Sequence, residues 1–86
     1  MFVDAALTKE QGVTFVVVVV QKHVLTSSRS RTETANGLAV HWPGIPVVLM
    51  AQDARGRAEY WGRQDIVQFL AGVPVEALPW QRWNLT

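Results

Sequence analysis

Cysteine does not occur in this chain. Its absence excludes a disulfide framework, a thiolate nucleophile, a redox dithiol and any Cys-ligated zinc or iron–sulfur site. An excess of charge of one sign is equally lacking. Eight Lys+Arg stand against seven Asp+Glu, a formal net charge of +1, which exerts no global pull toward nucleic acid or an anionic membrane. No basic segment precedes an apolar stretch at Met1-Phe2-Val3-Asp4, so no signal peptide is expected. The apolar run Val13 to Val20 is interrupted by Thr14 and is far shorter than the ~20 residues of a membrane-spanning helix. A cytoplasmic protein without a membrane partner is the resulting expectation. His23 and His41 are the only histidines; they lack i,i+4 spacing, and no metal or other cofactor is expected. The sequence also has no G-x-S-x-G, no H-E-x-x-H and no closely spaced pair of carboxylates, so a non-enzyme is expected.

What is present suits one small globular domain over residues 1–86. Hydrophobic residues make up 49% of the chain and charged residues 17%, a balance that folds rather than stays disordered. Every position from Phe15 to Val20 is apolar and mostly β-branched, which predicts a central strand buried on both faces. Val47-Val48-Leu49-Met50-Ala51 predicts a second. The turn chemistry of Asp53-Ala54-Arg55-Gly56 then leads into an alternating return strand over Arg57–Trp61. A helix follows over residues 63–71, with Asp65 in its first turn and Gly72 after its end.

Two segments are ambiguous. In residues 1–12, Asp4-Ala5-Ala6-Leu7 suits a helical turn and Gln11-Gly12 marks a break. Over residues 31–42, Ser30 and Glu33 fit a capping box, and Ala35, Leu38, Ala39 and Trp42 share one helical face. The competing pattern is a hairpin with Asn36-Gly37 as its type I′ turn. The capping box favours the helix. The expected class is α/β, with α+β as the alternative: a β-α-β-β-α domain whose sheet carries helices on both faces. Residues 73–86 form a C-terminal tail containing Trp80 and Trp83.

The stretch Ile45 to Gly72 resembles the C-terminal half of a thioredoxin-like domain. Its features are Ile45-Pro46 before an apolar strand, the D-x-x-G turn at Asp53–Gly56, the return strand, Gly62 and the closing helix. The resemblance implies a thioredoxin-like sheet, with Pro46 at the family's cis-proline position. The family's C-x-x-C is replaced here by the region Lys22–Ser28, so thiol redox activity is excluded and the resemblance implies a degenerate, binding form.

Three sets of candidate site residues emerge. Trp is enriched at interface hot spots, and Trp61, Arg63, Trp80, Arg82 and Trp83 form the candidate surface for another protein or a second copy of this chain. Interleaved Arg and aromatics also suit bases and phosphates, which makes Arg55, Arg57, Tyr60, Trp61 and Arg63 a nucleic-acid alternative. Ser28, Arg29, Ser30 and Arg31, following a buried strand and opening a candidate helix, are an alternative site for an anion or small molecule. A small non-catalytic protein-binding module is the leading expectation.

Overall fold

The computed structural model describes residues 1–85. Five strands, β1 (Phe2–Glu10), β2 (Val13–Val19), β3 (Val47–Gln52), β4 (Ala58–Trp61) and β5 (Trp80–Asn84), form one mixed sheet in the order β4-β3-β2-β1-β5. Only β2 and β3 run parallel; the other neighbours are antiparallel. Helix α1 (Ser28–Ala39) makes the crossover between β2 and β3, and α2 (Gln64–Leu70) follows β4. The architecture is α/β. No helix among the described residues is long and apolar enough to cross a membrane.

The valine run is the middle strand. Phe15, Val16, Val17 and Val18 are all essentially buried, because successive side chains enter opposite faces and both faces are covered. Val16 and Val18 join Leu25, Leu38, Trp42 and Leu49 in the core beneath α1. Phe15 and Val17 join Val48, Met50, Ile66 and Leu70 in the core beneath α2. Phe69 of α2 closes edge-to-face on Phe15, with ring centroids 6.4 Å apart.

The expected β-α-β-β-α order is present but extended by a strand at each end of the chain. Asp4-Ala5-Ala6-Leu7 is strand, not a helical turn. Alanine favours helix locally, yet Ala5 and Ala6 pair with Val18 and Val17 on one side and with Gln81 and Trp80 on the other. Gln11-Gly12 is the turn of the β1–β2 hairpin. Both residues have positive φ, 52° and 79°, as a type I′ turn requires.

Asn36-Gly37, the stronger hairpin signal, lies inside α1. The helix starts earlier than the expected capping box. Ser27 is the cap, its hydroxyl accepting from the Ser30 N–H at 3.1 Å, while Glu33 pairs with Arg29 instead. The Pro46 peptide bond is trans, as there are no cis bonds among the described residues, so the cis-proline implied by the resemblance is not there. The segment containing Trp80 and Trp83 is part of the sheet. After a 3-10 turn at Val75–Ala77 the chain enters the sheet as β5 beside β1.

Candidate functional site

The return strand and the Trp-containing segment, expected to form one contact surface, lie at opposite edges of the sheet. Each must be considered separately.

At the β4 edge, strand alternation separates the aromatics. Trp61 packs with the α1-side core and Tyr60 with the α2-side core. The Tyr60 hydroxyl is buried without a hydrogen-bond partner, and burial raises its pKa. Arg57 and Arg63 beside them are ion-paired. Arg57 donates to Asp53 at 2.9 Å, and Arg63 holds both carboxylate oxygens of Asp65 at 2.8 and 2.7 Å. These side-chain hydrogen bonds lower the pKa of Asp65 to about 2 and raise that of Arg63. The backbone N–H of Arg57, then that of Arg55, holds Asp53 below its ordinary value. Of the five nucleic-acid candidates, only exposed Arg55 has a guanidinium outside these ion pairs, and the two aromatic rings point to opposite faces.

The anion candidates form the first turn of α1. Arg29 is tied to Glu33 at 2.9 Å. Arg31 turns away from the helix end, donating from Nη1 to the Leu25 carbonyl at 2.9 Å and lying 5.7 Å from the centroid of the Trp61 ring. The structure therefore joins a residue of the anion set to one of the nucleic-acid set in a cation–π contact. Ser28 is exposed and Ser30 half-buried; the capping oxygen comes from Ser27. His41 stands 6.2 Å edge-to-face from Trp42. Among the described residues no three metal-ligating side chains gather.

At the β5 edge the geometry is different. Trp80 and Trp83 are separated by an odd number of strand positions and so enter opposite faces. Trp80 joins the α2-side core, its indole N–H donating to the Val75 carbonyl at 2.8 Å. Trp83 joins the α1-side core, donating to the Ala5 carbonyl at 3.1 Å. Both rings are half-buried anchors of their own domain. Arg82, exposed between them, reaches Asp4 on β1 at 3.5 Å.

The backbone of β5 supplies what the side chains do not. The Leu85 N–H donates to the Met1 carbonyl at 2.7 Å, which sets the phase of the ladder. With the register Val3↔Trp83 and Ala5↔Gln81, the amides of Gln81, Trp83 and Leu85 face β1. Those of Arg82 and Asn84 face away from the sheet, because antiparallel pairing alternates. Beside this edge Phe2, paired with Asn84, leaves 65% of its surface exposed. Asn84 and Phe2 were not among the sequence candidates. The only signal for them was the parity of a strand not visible in the sequence.

Searches against protein-family models, curated proteins and solved structures find no match for this chain.

Proposed function

We propose that this chain is a small non-catalytic protein-binding module whose contact element is the open edge of β5. The observation that carries the reading is the pair of outward-facing backbone amides at Arg82 and Asn84, on a strand anchored to both cores by Trp80 and Trp83. An extended partner added to such an edge gains main-chain hydrogen bonds, and the alternating side chains select it. β4 is the weaker edge. It has four residues, and a short edge strand is one way proteins discourage pairing. The nucleic-acid alternative loses support because Arg57 and Arg63 are neutralised by Asp53 and Asp65. The cytoplasmic location expected from the sequence is carried into this proposal.

Capture from a cell lysate with the tagged chain, with and without nuclease, tests the reading when run beside Arg82→Pro and Arg82→Ala. Proline removes one outward N–H and leaves the β1 ladder intact; alanine removes only the side chain. The expected result is a protein partner that survives nuclease, persists with Arg82→Ala and is lost with Arg82→Pro. Recovery that vanishes with nuclease would move the function to nucleic acid. Recovery unchanged by Arg82→Pro would reject the β5 edge.

A further inference from the structure

We infer that the β5 edge is self-complementary and takes a second copy of this chain, joining two five-stranded sheets into one across a two-fold axis. The inference rests on the binding-module reading above and names its partner.

Outward amides at Arg82 and Asn84 allow an antiparallel register in which Arg82 of each copy pairs with Asn84 of the other. Both residues face outward on the ladder phase set by Leu85 and Met1. They would therefore exchange two hydrogen bonds at each of two symmetric positions. Trp83 then lies opposite its own counterpart on the two-fold axis. It occupies a position without main-chain bonds between copies, where side chains approach most closely, with Cα atoms ~4.5 Å apart.

The side chains support this register over its neighbours. Sliding it so that Arg82 faces Arg82 places like charges opposite each other, which is unfavourable. Sliding it the other way sets Asn84 opposite Asn84 and moves Trp83 off the two-fold axis to face Leu85, so the two Trp83 rings no longer cover one another. In the register inferred here each Arg82 sits between Asp4 of its own chain, 3.5 Å away, and the amide side chain of Asn84 from the other copy. The single charge on β5 is thereby compensated on one side and hydrogen-bonded on the other. On the opposite face the half-exposed Trp83 rings, each already held by Trp42, cover one another, and Gln81 meets Leu85.

The β4 edge does not offer the same fit. It is shorter and carries Glu59, and ion-paired Arg57 and Arg63 flank its two ends.

Sedimentation equilibrium of the purified full chain across a concentration series tests the inference, with circular dichroism as the check on folding. The expected result is a reversible dimer that Arg82→Pro weakens roughly tenfold or more, since two donors vanish per dimer, while Arg82→Ala retains it. The register is tested separately by cysteines introduced into this cysteine-free chain. A mixture of Arg82→Cys and Asn84→Cys chains should cross-link to each other, and neither should cross-link to itself. A strict monomer would overturn self-pairing while leaving the capture experiment above free to support another protein. A dimer indifferent to Arg82→Pro, or self-cross-linking of Arg82→Cys, would overturn the edge or the register.

Discussion

Trp83 stands edge-on to Trp42, with ring centroids 5.4 Å apart and planes at 77°. The contact ties the end of the α1 segment to the outermost strand and closes the α1-side core at the β5 edge. Trp42 is only 5% exposed. Trp42→Ala should cost about 3–5 kcal/mol through lost burial and the cavity left behind. A domain of this size has only ~5–10 kcal/mol in total. Trp83→Phe keeps a ring against Trp42 but gives up the bond to the Ala5 carbonyl, and should cost about 1 kcal/mol. Urea denaturation of the two variants measures both, and equal losses would contradict this division of roles.

Two glycines should respond to alanine with opposite sign. Gly37 lies in the exposed middle of α1 with nothing within 4 Å of a Cβ placed there. Gly37→Ala should therefore stabilise by about 0.5–1 kcal/mol through helix propensity. A Cβ on Gly62 would sit 3.0 Å from Val48 Cγ2 and 3.2 Å from its Cα. Gly62→Ala should destabilise by about 1–3 kcal/mol, as overpacking does. Thermal melts that move both variants in the same direction would contradict the packing described for β3 and β4.

Tyr60→Phe removes a buried hydroxyl that has no partner. An unsatisfied polar group carries its full desolvation penalty, so the variant should be neutral or more stable by up to ~1 kcal/mol. A clear loss of stability in chemical denaturation would mean that the hydroxyl is bonded in solution.

Asp65 gives the fold a specific acid response. Its pKa falls from an ordinary 3.8 to about 2 because Arg63 donates two hydrogen bonds to its carboxylate. A depressed carboxylate stabilises the folded state above its unfolded pKa, and that contribution disappears as pH falls through the folded value. Stability should thus decline between pH 3.8 and about 2, with Asp53 acting in the same direction. The site is exposed, so the effect is small. Asp65→Asn should flatten the decline in melts recorded at stepped pH, and an unchanged slope would exclude the Arg63 pair as its source.

Much of this fold was legible in local residue chemistry. The uninterrupted apolar run of β2 dictates burial on both faces. Asp53 and Gly56 specify the turn between β3 and β4: Asp53 Oδ1 accepts from the N–H of Arg55 and of Arg57, and Gly56 supplies a φ of 80°. Ile66 and Leu70 place α2 on the sheet through their spacing alone. These features need only neighbours within a few positions along the chain.

Tertiary structure decided the first and last strands of the chain and, with them, the site. Ala5 and Ala6 have no strand preference of their own; they are strand because β2 and β5 hydrogen-bond them from both sides. Asn36-Gly37 has stronger turn chemistry than Gln11-Gly12. The second pair nevertheless forms the hairpin, because only there do the flanking residues bury apolar side chains in register, while Leu38 and Trp42 hold the first in a helix against the sheet. The composition of Trp80-Gln81-Arg82-Trp83 announces an anchor without saying what it is anchored to. Pairing with β1, 78 residues away between Ala5 and Trp83, is what turns a tryptophan-containing segment into a sheet edge. Non-local pairing of that kind depends on which strand lies alongside, and a residue's near neighbours in sequence do not carry that information.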